Sequence, residues 1–153
     1  MPKAKRAATG EELHELFHSV FVLQGVLSAV MDDVHARVGM RTSQCKIADA
    51  LERHGPAAVP QVAAWLGVSR QFVQTVCNEM EALGLLEFRD SPRHKRSRLA
   101  SLTEKGKRVA ARAGNAEAAI IERTLPDIDA GRVADASGIL RAITDRIPGR
   151  NPG

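Results

Sequence analysis

Between Val59 and Leu83 apolar residues recur with a helical period, and Gly67 cuts that pattern in two. Two helices that meet at a steep angle need a small residue where they touch and a glycine in the turn. Ala63 is followed four residues on by Gly67 and, six after that, by Val73. Val62, Leu66, Val68 and Val76 supply further inward side chains. The spacing predicts a short helix over 59–66, a turn, and a second helix over 70–83. Ser69 caps the second helix, and Phe72, Val73, Val76, Met80 and Leu83 point inward. Gly84 comes next, at the position where helices turn left-handed. A helix-turn-helix of this kind fixes the middle of the chain.

The next segment gives the motif a partner. Leu86 and Phe88 alternate with polar residues, and Leu99-Ala100-Ser101-Leu102 reads as a return strand. The ten residues 89–98 between them hold five Lys/Arg and His94 against one acid, Asp90. Like charges at that density repel unless an anion is expected. The whole-chain excess is small, 22 Lys+Arg against 18 Asp+Glu for a net charge of +4; its distribution carries the meaning. A basic hairpin directly after a helix-turn-helix is a wing. It lies along phosphates or in the minor groove while the second helix enters the major groove. Arg93, Lys95, Arg96 and Arg98 are its candidate contacts.

With the inward residues of the second helix assigned, its outward face is Arg70, Gln71, Gln74, Thr75 and Asn78. Gln and Asn suit adenine edges, Arg suits guanine or phosphate, and a Thr methyl suits the thymine methyl. Gln71, Gln74 and Thr75 are the expected base readers, and Ser69 and Arg70 mainly position the helix on phosphates. Alone, such a face is as readily an ordinary solvated surface. Beside the helix-turn-helix spacing and the wing it points to double-stranded DNA. Two readings compete with sequence-specific regulation: a winged-helix protein-interaction module, which needs no such cluster of cations, and a non-specific architectural DNA-binding protein. Aromatics are only 3% of the chain, with no Tyr. That argues against a β-sandwich and against base-stacking platforms for single strands.

Helices flank this unit. From Glu11 to about Val38 the pattern Leu13, Leu16, Phe17, Val20, Leu27, Val30, Met31, Val34 predicts one long helix, with Val22, Leu23 and Val26 on its other sides. A helix apolar on more than one face is buried on more than one face, and the second is most simply a subunit interface. Thr42 or Ser43 caps a second helix to about His54, with Ile47, Ala48 and Leu51 inward. Thr103 caps another to about Thr124, with Val109, Ala113, Ile120 and Ile121 on one stripe. A last helix, 132–147, carries a packing seam of Val133, Ala136, Leu140, Ile143 and Ile147. The expected order is α-α-α-α-β-β-α-α. The fold class is mostly α with a small β-hairpin wing: a winged helix-turn-helix domain plus N- and C-terminal dimerisation helices. The expected boundaries are a disordered basic arm (1–10), a dimerisation helix (11–38), the winged domain (40–102), C-terminal dimerisation helices (103–147) and a flexible tail (148–153). Leu13, Leu16, Phe17, Val20, Leu140, Ile143 and Ile147 are the expected dimer contacts.

Other chemistry is thinly represented. No run reaches the roughly 18 uninterrupted apolar residues of a membrane span, and no cleavable leader comes after the basic start; a cytoplasmic protein with no membrane partner is expected. Cys45 and Cys77 form neither a metal spacing nor a disulfide framework and read as buried apolar residues. His14 and His18 share a helix face but lack further ligands, so no metal and no cofactor are expected. With no phosphate loop and no nucleophile beside a base, the chain reads as no enzyme. A ligand pocket where the first, second and fifth helices meet could be lined by Phe17, Phe21 and Met31.

The stretch from Val59 to Gln71, then Met80-Glu81-Ala82-Leu83-Gly84-Leu85-Leu86, then Leu102-Thr103-Glu104-Lys105-Gly106, resembles the MarR family of winged helix-turn-helix transcriptional regulators. The likeness spans roughly residues 10–147, including Thr42-Ser43-Gln44 and His54-Gly55-Pro56. It implies a homodimer held by the first helix and the last two, a palindromic DNA site, and often a small-molecule effector or oxidant that releases the DNA. The family's wing carries Asp-x-Arg before the Leu-Thr. Here Arg96 holds the Arg position and His94 the Asp position, so the wing is more cationic and its Arg lacks the usual carboxylate. Thiol-based sensors of the family keep a Cys near the start of the first helix, where this chain has none.

Overall fold

Helix α1 (Gly10–Val38) starts at a complete capping box. The Thr9 hydroxyl accepts from the Glu12 amide at 3.2 Å, and the Glu12 carboxylate accepts from the Thr9 amide at 2.9 Å. Arg6 pairs with the same carboxylate, and these donors hold the Glu12 carboxyl down to about 2. The computed structural model describes residues 5–93 and 96–147. The first four residues of the expected arm, His94 and Lys95 of the wing, and the tail 148–153 lie outside the described residues.

After α1 come α2 (Thr42–His54), β1 (Ala57–Ala58), α3 (Val59–Leu66), α4 (Arg70–Ala82), β2 (Leu86–Asp90), β3 (Arg98–Leu102), α5 (Glu104–Thr124) and α6 (Ala130–Arg146). The three strands form one antiparallel sheet in the order β1-β3-β2. Leu86 stands opposite Leu102, Phe88 opposite Ala100, and Ala57 opposite Ala100 on the other side. Strand β1 is absent from the sequence-based order. Two alanines have neither the length nor the β-branching that announces a strand; the exposed edge of β3 recruits them.

One core lies between α2, α3, α4, the sheet and the start of α5. Ile47, Val62, Val73, Cys77 and Met80 are completely buried in it. Three residues expected to point inward do not: Val68, Phe72 and Leu83 are exposed, Phe72 by 44%. The inward stripe of α4 is Val73, Val76, Cys77 and Met80, the narrow three-four spacing of a short helix. Phe72 stands about 100° off it, Val68 lies in the turn, and Leu83 is already the C-cap residue. Helix α2 departs at its start. Arg41 is the N-cap and its amide donates to the Gln44 side chain at 3.0 Å, while both expected caps, Thr42 and Ser43, lie inside the helix and Thr42 spends its hydroxyl on Asp32.

The join between α4 and α5 is backbone against backbone. A Cβ on Gly106 would lie 1.9 Å from the Leu85 carbonyl oxygen, so only glycine fits. Around it the Thr103 amide donates to Leu85 at 3.1 Å, the Thr103 hydroxyl to the Gly84 carbonyl at 2.6 Å, and Lys105 Nζ to the Leu83 carbonyl at 2.8 Å. The segment Thr103-Glu104-Lys105-Gly106 thus ties up the loose carbonyls at the end of α4.

The outer helices are bare by comparison. In α1 only Val34 and His35 are buried, and α6 buries nothing. Phe21 is 73% exposed, and Val22, Leu23, Val26, Val30, Val133 and Ile139 are exposed with it. On the expected stripe of α5, Val109 and Ala113 are buried but Ile121 is exposed. By length and composition α1 is apolar enough to cross a membrane; Gln24 and Ser28 interrupt its apolar runs, so no unbroken stretch announces this. Its C-terminal end is held in the folded body by Asp32–Thr42 and His35–Glu117 bonds.

Candidate nucleic-acid interface

The turn between α3 and α4 is made by Gly67, whose φ of 66° is left-handed, a conformation that costs glycine nothing. Ser69 accepts from the Phe72 amide at 3.1 Å and closes the first turn of α4. An N-cap of this kind is worth about 1 kcal/mol. With Val73, Val76, Cys77 and Met80 clamped in the core, rotation about the α4 axis is fixed. Arg70, Gln71, Gln74, Thr75 and Asn78 all come out exposed, as does Ser69. Gln74 Nε2 donates to Asn78 Oδ1 at 2.8 Å and the Thr75 hydroxyl to the Gln71 carbonyl at 2.9 Å, so these side chains are held in a row along the helix.

The wing closes one side of this face. Gln74 and Asn78 share a groove of about 440 Å³ with Phe88, Arg96 and Arg98. The Arg98 guanidinium lies over the Phe88 ring, 5.3 Å from its centroid, and donates to the Phe88 carbonyl at 3.3 Å; that anchors its stem while the side chain stays exposed. Arg89 is paired with Glu87, which removes one of the five cations counted from the sequence. Among the described residues Arg93 and Arg96 make no ion pair. Glu81 also lines the groove and adds a negative charge to it. Lys95 and His94 lie outside the described residues.

A second constellation lies away from this face. Helices α1, α2 and α5 enclose a cavity of about 640 Å³. Met31 lines it as expected, but Phe17 and Phe21 do not; both are exposed on α1. The sequence reading missed His35, Cys45 and Glu117, which meet at the cavity wall with their donor atoms within 4.8 Å of one another. Eighty-two positions separate His35 from Glu117, and no local spacing could have announced them. His14 and His18, the pair the sequence offered, are exposed on α1. Burial, and then the Glu117 charge, push the Cys45 thiol up to about 12; burial alone pushes Cys77 up to about 11.

A helix-turn-helix backed by a three-stranded wing, inside a frame of long helices, defines a winged-helix protein. The MarR family model matches residues 38–97. Uncharacterized proteins of Mycobacterium tuberculosis and Mycobacterium bovis are 38% identical over 99 residues, 65% of this chain and 68% of theirs. Among solved structures, the transcriptional regulator BldR of Sulfolobus solfataricus matches with a TM-score of 0.81 at 17% identity, over 92% of this chain and all of that one. A MarR family transcriptional regulator of Streptomyces coelicolor, in complex with DNA, matches with a TM-score of 0.72 at 18% identity, over 95% and 93% of the two chains. The PcaV transcriptional regulator of the same organism, in complex with its natural ligand, matches with a TM-score of 0.69 at 23% identity, over 92% and 99%. The chain belongs to the MarR family, and its fold is that of the family's winged-helix transcription regulators.

Proposed function

We propose that the chain is a cytoplasmic, non-enzymatic regulator of transcription that binds double-stranded DNA in a sequence-specific way. It acts as a homodimer on a palindromic operator, as a repressor that a small ligand releases. One observation carries the reading: Gln74 and Asn78 on the polar face of α4 and the wing arginines Arg96 and Arg98 border the same groove. A helix in the major groove therefore sets these cations beside the flanking phosphates or minor groove. Gln71, Gln74 and Thr75 read bases; Ser69, Arg70, Asn78 and the wing residues Arg93, Lys95, Arg96 and Arg98 position the protein and add affinity.

Support for the dimer comes from the bare apolar residues of α1 and α6. Leu13, Leu16 and Ile143 are half-buried within one chain, whereas Phe17, Val20, Leu140 and Ile147 are exposed. Exposed apolar surface on this scale marks an interaction site. The cavity between α1, α2 and α5 is the place where a released or bound ligand would alter the angle between the outer helices and the winged domain.

The test is a titration at near-physiological salt. Labelled duplex from upstream of the protein's own gene is compared with random duplex of equal length. A preference of about a thousand-fold is expected. Equal, salt-sensitive binding to both would replace specific regulation with architectural DNA binding. Binding to neither would overturn the DNA reading in favour of a protein-interaction module.

A further inference from the structure

The His35 imidazole, from the last turn of α1, is 3% exposed. Its Nδ1 lies 2.9 Å from the Thr42 hydroxyl, and that hydroxyl donates to the Asp32 carboxylate. A hydroxyl whose proton is already given to a carboxylate can only accept. The chain of bonds therefore runs from His35 Nδ1–H to Thr42 to Asp32, and fixes the ring's tautomer. Nε2, the other ring nitrogen, is thereby turned to the Glu117 carboxylate. A proton would satisfy this pair alone. It would leave unexplained the third donor at the same point, Cys45 Sγ from α2, within 4.8 Å of both.

We propose that His35 Nε2, Cys45 Sγ and Glu117 bind a divalent cation of the zinc class at the wall of the α1–α2–α5 cavity. One imidazole, one thiolate and one carboxylate are a donor set that such an ion takes. Zinc bonds of about 2.0–2.3 Å put neighbouring donors of a tetrahedron roughly 3.3–3.8 Å apart, so the hydrogen-bonded His35–Glu117 pair opens by about 1 Å to admit the ion while Cys45 Sγ closes on it by about 1 Å or less. Coordination deprotonates a thiol outright. The dication, thiolate and carboxylate then sum to zero, so the site carries no net charge. His35, Cys45 and Glu117 all line the cavity, and a water from it takes the fourth position. Thr42 and Asp32 orient the His ligand from behind, the arrangement by which outer partners fix a metal-bound imidazole. The three ligands come from α1, α2 and α5, so the ion fastens the outer helices to the first helix of the winged domain. This last consequence alone rests on the DNA-binding reading: with the ion bound, the affinity for specific duplex shifts by about five-fold or more.

The full-length protein, stripped with a chelator, is titrated with Co²⁺. A near-ultraviolet thiolate-to-cobalt charge-transfer band and intense visible ligand-field bands are expected, saturating at one ion per chain and bleached by Zn²⁺. Cys45→Ser loses the charge-transfer band; Cys77→Ala, whose thiol lies in the winged core, keeps it. Glu117→Gln weakens cobalt binding by about a hundred-fold or more and Thr42→Val by about ten- to a hundred-fold. Glu117 is the variant to rely on if Cys45→Ser folds poorly, since a third of its side chain is exposed. The absence of both bands, a charge-transfer band surviving in Cys45→Ser, or wild-type affinity in Glu117→Gln would each overturn the site. The duplex titration is then repeated with and without one equivalent of Zn²⁺. The expected shift disappears in Glu117→Gln. An unchanged affinity beside an intact cobalt spectrum would overturn the coupling. A cobalt spectrum in a protein that binds no duplex would overturn the DNA reading and leave the metal site standing.

Discussion

Single side chains on α4 divide into those that hold the helix and those that face outward, and substitutions separate them. Gln74→Ala removes a candidate base reader whose amide also props up Asn78. It is expected to cost roughly 1–3 kcal/mol on the preferred duplex and much less on random duplex, measured by titration; equal losses on both would mean that Gln74 reads no sequence. Arg96→Ala should weaken binding to all duplexes alike and lower the slope of log affinity against log salt by about 1. Cys77 belongs to the other group. With its thiol pushed up to about 11 by burial, only about one molecule in a thousand carries the thiolate at pH 8. A thiol reagent should therefore modify it far more slowly in the folded protein than in denaturant. Rapid modification at pH 8 without unfolding would point to an open, reactive cysteine.

At the scale of elements, the join of α4 to α5 depends on one missing side chain. Gly106→Ala drives a methyl into the Leu85 carbonyl and should destabilise the fold by about 1–3 kcal/mol in denaturant unfolding. Gly114→Ala, in the same helix with nothing within 4 Å of a new Cβ, should stabilise it by up to about 1 kcal/mol. Equal effects would show that helix propensity, not the close approach, governs position 106. The elements themselves were largely legible in the sequence. Gly67, Ser69, Gly84 and Thr103 are punctuation marks with local physical causes, and they set the edges of α3, α4 and α5 almost to the residue. Strand β1 was not legible, because only the neighbouring edge of β3 makes two alanines a strand. Nor was the exposure of Phe72, since helical periodicity ranks a phenylalanine inward without knowing how wide a stripe the core accepts. The basic wing after α4 was legible in charge density and order along the chain; the groove between them was not. The meeting of His35, Cys45 and Glu117 was not legible either, because it is a property of how α1, α2 and α5 cross.

For the whole molecule the open question is what covers α1 and α6. Phe21→Glu replaces a residue that one chain leaves 73% exposed, so it should hardly alter the stability of an isolated chain. If a second copy covers this face, the variant sediments and scatters light as a monomer at micromolar concentration and loses most of its affinity for duplex. A wild-type protein that is already monomeric there would remove the dimer and its two-fold spacing of recognition helices, expected at roughly 34 Å.

The contact of Gly106 with Leu85 has a mechanical consequence. Backbones that touch without intervening side chains resist sliding, so a tilt of α5 would carry the end of α4 with it, like one arm of a caliper. Helix α5 has 21 residues and is therefore about 31 Å long. A tilt of about 10° at its far end displaces the tip of the arm by about 5 Å, more than one base-pair step of about 3.4 Å. In the proposed homodimer, a hinge motion too small to disturb the packing of either helix would be enough to put a pair of such arms out of gauge with the groove.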